Sequence, residues 1–321
     1  MPAENSPETV AIGETMYCLT PDEAGPLRYC RGFRPRIAGA ESNMMIGLAK
    51  LGRAAAWLSR LGDDEFGHYI ANAIRGEGVD VSWTTFDPAH RTGVMFKEGS
   101  AGETKVHYYR ENSAASHLTP ADVPEKALAG AKILHITGIT PILSQSCAET
   151  ISHAVDLAGR LGLKISFDAN IRRKLWGGRD YTGLLSDLAL RAQIVMLGLD
   201  EAEHMFKTDS IPDIFSRLFQ GGSAERVALK DGDKGAWVAE RGSKERHIPP
   251  VPCRCVEPIG AGDAFNAGFM AGCLEGLDAE TAGRMGAIAG ALATQTTGDI
   301  EGYPSRERMR ALMEGKAEIN R

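Results

Sequence analysis

Four stretches of the chain, KILHITG (132–138), KISFDAN (164–170), AQIVMLGL (192–199) and RVALKDG (226–232), are apolar almost without interruption. Runs so short and so continuous mark strands covered on both faces. A helical segment separates each from the next, and such alternation requires right-handed crossovers in a parallel sheet. The rhythm begins near the N-terminus. TVAIGE (9–14) reads as a first strand, and SNMMIGLAKLG (42–52) turns to helical periodicity and closes on Gly52. AAAWLSRLG, a helix over 65–77 and VSWTTF repeat it. GAWVAERGSKERHIPP reads as a hairpin near the end of the sheet, and the last third is helical over about 262–275, 279–297 and 305–315. The expected class is α/β with a mainly parallel central sheet, in one domain over 9–321 behind a flexible tail, 1–8.

Residues 15–38 and 82–112 break this pattern. MYCLT, LRYCRGF and PRIAG are strand-like, and WTTF, TGVMFKE and TKVHYYRE follow one another with turn residues (Asp87-Pro88, Gly99 to Gly102) and no helix between them. Antiparallel ribbons cannot lie inside a parallel sheet buried by helices, so both stretches are expected to project as a small β lid. Val94, Phe96 and Val106 are expected to be exposed there, as a patch that a second subunit covers in a homo-oligomer, a dimer through the lid.

Composition narrows the class without changing it. The 321 residues are 43% hydrophobic, enough for a large core, and 36 Lys+Arg against 42 Asp+Glu give a net charge of −6. No basic run or basic-aromatic interleaving is present, so nucleic acid is not an expected partner. Acids and prolines at the N-terminus and the lack of any long apolar window point to a cytoplasmic protein with no membrane partner. Six scattered cysteines suit free thiols better than a disulfide framework, and Cys253-x-Cys255 alone is weak evidence for zinc.

The candidate chemistry sits in EPIGAGDAFNAGF (257–269). Gly260 and Gly262 let the backbone approach a ligand closely, and the bare N–H groups at the start of the following helix form an anion site. Asp263 stands beside that site as an acceptor-only group, suited to take a proton from an attacking hydroxyl while the amides of Gly260, Ala261 and Gly262 hold phosphate charge. The plainer reading makes Asp263 a helix cap and the glycines packing residues. No P-loop and no early dinucleotide fingerprint competes.

At these residues the chain resembles the ribokinase-like sugar kinases of the phosphofructokinase-B family, whose signature is close to D-T-x-G-A-G-D-x-F-x-x-G. The first family signature is matched by AGAESNMMIGLAKLG (38–52), running into WLSRLGDDEFGHYI (57–70), and the resemblance extends from about residue 9 to 315. Glu257 and Pro258 stand where the family has Asp and Thr, and Gly198 stands where an N-x-x-E motif has Asn, leaving Glu201 as a lone, indirect candidate for the metal. The resemblance implies a three-layer α/β/α sandwich, ATP with Mg2+ as cofactors, and a monovalent cation as an optional third. Lys230, Gly232 and Gly235 in VALKDGDKGAWV would lie near the nucleotide's phosphates and ribose. Ala287 and Gly290 would lie near its adenine, against a plain reading of close helix packing.

For the acceptor, Asp168, Asn170 and Arg172 emerge at the carboxyl end of a buried strand, where open α/β sheets bind ligands. Arg172 offers a planar fork for a carboxylate or phosphate, and Trp176 reads as packing. Alternation in KVHYYREN puts Tyr108 and Arg110 on one face and Tyr109 on the other, either gripping a polyol acid or merely stacking on each other. FDANIRRKLW, the TGVMFKE to HYYREN block and GLDEAE look like the 2-keto-3-deoxygluconate kinases of the family. That resemblance implies that Gly39, Asn43, Tyr108, Arg110, Asp168, Asn170 and Arg172 surround a sugar acid, phosphorylated on its terminal hydroxyl. The rival readings are a kinase of another sugar, such as 5-keto-2-deoxygluconate, fructose or ribose; a non-catalytic sensor; and, less well supported, a nicotinamide-dependent oxidoreductase.

Overall fold

The computed structural model describes residues 6–23, 25–100 and 103–319. Eight strands form the central sheet: β1 (Thr9–Ile12), β4 (Ala55–Leu58), β9 (Ile133–Thr137), β10 (Lys164–Asp168), β11 (Ile194–Gly198), β12 (Arg226–Lys230), β13 (Ala236–Glu240) and β14 (Arg246–Ile248). Their order is β14-β13-β12-β11-β10-β9-β1-β4. All pairings from β4 to β12 are parallel, and the expected hairpin adds β13 and β14 antiparallel at one edge.

Side chains alternate across this sheet and feed two cores. Val10, Ile12, Leu134, Ile136, Ile165, Phe167, Val195, Leu197, Val227 and Leu229 face helices that include Gln145–Leu161, Thr182–Arg191 and Ile211–Gln220. Ala11, Trp57, Ile133, Ile194, Met196 and Ala228 face the other way, onto helices that include Ala40–Lys50, Glu65–Gly76, Ala261–Leu274 and Ala279–Ala293. The result is the expected α/β/α sandwich. No helix among the described residues is long and apolar enough to cross a membrane.

The lid is a second sheet, ordered β3-β2-β7-β8, from β2 (Met16–Pro21), β3 (Phe33–Ala38), β7 (Val94–Ser100) and β8 (Glu103–Tyr109). Its connection is only partly antiparallel, because β2 and β7 pair in parallel. One expected lid segment lies elsewhere: β6 (Thr85–Asp87), the end of the WTTF stretch, pairs in parallel with β5 (Arg60–Gly62) beside the body. Val94, Phe96 and Val106 are half-buried rather than exposed, and Val106 packs on the lid's inner cluster of Met16, Cys18, Ala38 and Met95.

Residues 1–5 of the expected tail, and 101–102 of the expected turn, lie outside the described residues. Glu8, assigned to that tail, is instead tied to the body. Its amide donates to the Ala54 carbonyl at 2.8 Å, and its carboxylate pairs with Arg53 and Lys132. The six cysteines are free thiols, and Trp176 is a packing residue, 8% exposed.

Candidate active site

The carboxyl ends of three adjacent parallel strands supply one wall of a cavity of about 400 Å³. Asp168 ends β10, Gly198 ends β11 and Lys230 ends β12. Asn170 and Arg172 leave β10 on the loop beyond it, and Asn170 adopts φ 41°, a conformation that Asn tolerates better than most residues. Lys230 Nζ donates to both Asp168 oxygens at 3.2 Å and to Asn266 Oδ1 at 3.0 Å, while Asn266 Nδ2 donates to Asp168 Oδ2 at 2.7 Å. Every strong acceptor and donor in this buried knot is thereby paired, which fixes Lys230 at the cavity.

The opposite wall comes from the starts of two helices. Gly39 precedes Ala40–Lys50 and lies so close to the first strand loop that a Cβ there would come within 2.5 Å of the Glu14 carbonyl oxygen. One turn on, buried Asn43 donates to Asp263 Oδ2 at 2.9 Å. Gly260 caps Ala261–Leu274 in the left-handed region, φ 86°, with the Asp299 carbonyl oxygen 2.7 Å from where a Cβ would stand. Only glycine fits both demands. Ala261 N–H closes a turn onto the Pro258 carbonyl at 3.3 Å. Among the described residues no acceptor takes the N–H groups of Gly262 and Asp263, which remain open at the helix N-terminus. Lys230 Nζ would lie 3.8 Å from a Cβ on Gly262, so a fixed cation stands beside those amides.

Asp263 is 9% exposed. Burial pushes its pKa up to about 7; the Asn43 hydrogen bond opposes this, Asp168 and Asp299 add to it, and Arg172 opposes it. A carboxylate tuned to neutrality beside unpaired amides has the properties of a general base at an anion site.

The two arginines read together in the sequence behave differently. Arg110 forms an ion pair with buried Glu14, whose Oε1 also accepts from Ser113 Oγ at 2.5 Å, and its guanidinium lies 5.9 Å from the Tyr108 ring centre. Its charge is already balanced. Arg172 is exposed in the cavity wall and forms no ion pair among the described residues.

Gly39, Asn43, Tyr108, Arg110, Asp168, Asn170, Arg172, Glu201, Lys230, Gly260, Gly262 and Asp263 all line the one cavity, and Ala261 adjoins it. Gly232, Gly235, Ala287 and Gly290 do not line it. The first two belong to the turn between β12 and β13; the others lie on Ala279–Ala293, where Gly290 faces Ala261 and Phe265. Glu201 accepts from the Gly198 N–H at 2.8 Å and the Ile171 N–H at 2.6 Å, and burial, with Asp168 nearby, raises its pKa. Among the described residues no three ligating side chains form a metal cage. Magnesium is commonly held by one or two carboxylates and keeps several waters, and the carboxylates of Asp200 and Glu201 line the cavity.

Sequence reasoning left out Glu14, Lys97, Asn266 and Asp299. For Lys97 a signal existed, because strand alternation puts it on the same buried face as Met95.

With this fold and cavity, the chain is a phosphotransferase with an alcohol acceptor, as its family match and relatives show. The chain belongs to the pfkB family of carbohydrate kinases, whose model matches residues 6–306, and it has their ribokinase-like fold. It is 34% identical over 317 residues to a 2-dehydro-3-deoxygluconokinase of Bacillus subtilis, covering 98% of this chain and 97% of that one. It is 28% identical over 320 residues to a 5-dehydro-2-deoxygluconokinase of the same species, covering 98% of each. A crystal structure of a PfkB protein from Polaromonas sp. JS666 superimposes with TM-score 0.86 at 33% identity, covering 96% of this chain and 100% of the other.

Proposed function

We propose that the protein transfers the γ-phosphate of ATP to the terminal hydroxyl of 2-keto-3-deoxygluconate. The observation that carries this reading is the pairing, in one cavity, of a neutral-tuned Asp263 with an Arg172 that forms no ion pair among the described residues. A base and open amides suit any sugar kinase, whereas a free guanidinium favours an acceptor that brings a carboxylate. Similarity to the 2-dehydro-3-deoxygluconokinase points the same way.

In this reading the sugar acid lies under the lid with its carboxylate on Arg172 and its hydroxyls against Asn170, Tyr108 and the Glu14–Arg110 pair. Gly39 supplies close backbone contact, and Asn43 Oδ1, buried without a partner among the described residues, remains as an acceptor. Asp263 takes the proton from the terminal hydroxyl as its oxygen bonds to the γ-phosphorus and the bond to ADP breaks. The amides of the Gly260-Ala261-Gly262 turn and the Lys230 ammonium hold the charge that develops. The nucleotide extends from there past Gly232 and Gly235, with its adenine near Ala287 and Gly290. Magnesium, when bound, would supply charge neutralisation of the phosphates, and Glu201 would hold it through water. The lid excludes water from the reacting centre, and its outer face joins two copies of the chain.

The test is product identification after incubation with MgATP and a panel of keto-deoxy sugar acids and neutral hexoses. Phosphate on the terminal carbon of 2-keto-3-deoxygluconate is expected. The second reading, 5-keto-2-deoxygluconate, is favoured by similarity to the other Bacillus subtilis kinase, and preferential turnover of that sugar would establish it. R172A should raise KM for the sugar acid roughly 10- to 100-fold, the range of a hydrogen-bonded charge, and leave any activity on neutral sugars intact. An unchanged KM would remove Arg172 from the acid end.

A further inference from the structure

Lys97 comes from the lid, yet only 2% of it is exposed. Its ammonium donates to Asp299 Oδ1 at 2.7 Å and lies 3.2 Å from Glu257 Oε1. Both carboxylates belong to the body and flank the glycine turn. Glu257 opens the segment leading to Gly260, and the Asp299 carbonyl abuts Gly260 itself. The second carboxylate oxygen of Asp299 lies 3.4 Å from Asn43 Nδ2, the same group that holds Asp263 at 2.9 Å. Two buried carboxylates at this place would repel an incoming triphosphate, and Asp299 would compete with Asp263 for Asn43, unless a cation neutralised them.

We propose that Lys97 is a positioning residue for phosphoryl transfer: a built-in cation that balances Glu257 and Asp299, holds the lid to the glycine turn and leaves Asn43 to Asp263. The inference rests on Asp263 being the base. Lys97 touches no reacting atom and acts through Asp299 and Asn43. Its own surroundings support a fixed charge: burial works against ionisation, but Asp299 and Glu257 outweigh it and hold its pKa above the ordinary lysine value. From the packed elements, Lys97 faces Cys18 of β2, Glu257 and Asp299, and Glu257 also meets Thr104 of β8. Asp263 faces Asn43, Asp168, Arg172, Asp299 and Tyr303. Removing the ammonium unbalances Asp299, and an unbalanced Asp299 disfavours the charged form of Asp263.

Wild-type turnover of a sugar acid tests the underlying reading, and the comparison of Lys97 variants with wild type tests this one. K97M should lower kcat by about tenfold or more, change KM for the sugar acid little, and move the acid limb of the kcat–pH profile upward by roughly half a pH unit or more. Carbon NMR titration of the Asp263 carboxyl should show the same upward displacement without any turnover. Ammonium ions should restore part of kcat to K97A and none to wild type. Should K97M not fold, E257Q decides: it leaves Lys97 wholly to Asp299, so its acid limb should stay at or below that of wild type. A folded K97M with wild-type kcat and an unmoved Asp263 titration overturns the proposal, as does an E257Q limb that moves upward.

Discussion

Asp263 holds its proton to about pH 7 because burial penalises its charge more than Asn43 and Arg172 favour it. A base must be ionised to act, so kcat is expected to rise with pH through about 7 and level off above it. The same shift has the opposite sign for folding. The carboxyl binds its proton more tightly folded than at its ordinary value of 3.8, so its contribution to stability is complete below about 3.8 and lost as pH rises through about 7. D263N should therefore cut turnover by ~10²-fold or more while melting at or above the wild-type temperature at pH 8, measured by calorimetry. Near-normal turnover, or a large fall in Tm, would deny Asp263 the part of a strained base. At this scale Asp263 and Arg172 were legible because each stands at a place that elementary geometry marks, a helix start after glycines and the end of a buried strand. Glu14 and Asp299 were not, since they act as buried counter-charges whose partners lie 96 and 202 positions away in sequence, Arg110 and Lys97 respectively.

Helix starts, rather than single side chains, would make the proposed anion site. The Ala261–Leu274 helix presents its open amides only because Gly260 turns in the left-handed region against the Asp299 carbonyl. An alanine there meets both a backbone penalty of about 1–2 kcal/mol and a clash with main-chain oxygen that no rotamer relieves. G260A is expected to lower Tm by a few degrees and kcat further than the stability loss explains, because the amides are displaced from the phosphate. Thermal melts set beside single-turnover rates check this, and full activity in a destabilised variant would place the anion elsewhere. Elements of this length were readable from apolar runs and helical spacing, which is why β9 to β12 fall where the sequence puts them. WTTF was legible as a strand, but the place of β6 beside the body was not, because it is set by pairing with β5, a contact remote in sequence. Likewise the parallel β2–β7 pairing that joins the two lid segments leaves no local mark.

Across the whole molecule, the lid has two faces with different work. Its inner face, with Met16, Cys18, Ala38 and Met95 backed by Val106 and Tyr108, closes over the cavity and accounts for the half-burial of Val106. Its outer face carries Phe33, Phe96 and Tyr109 in edge-to-face contact at 5.6 and 5.7 Å, and Tyr109 is 67% exposed. Alternation forces this division, since residues 106 and 108 must face opposite to 107 and 109. Tyr109, the exposed member of this aromatic cluster, favours burial against a like surface, and a two-fold axis would set each cluster against its copy. Sedimentation of the wild type should show a dimer whose population follows concentration. Y109E places a charge at the centre of that contact while leaving the inner face untouched, so it should shift the protein toward monomer with the folded CD spectrum retained. A wild type that sediments as monomer at high concentration, or a Y109E dimer of unchanged strength, would mean that the aromatic face is not where two copies meet.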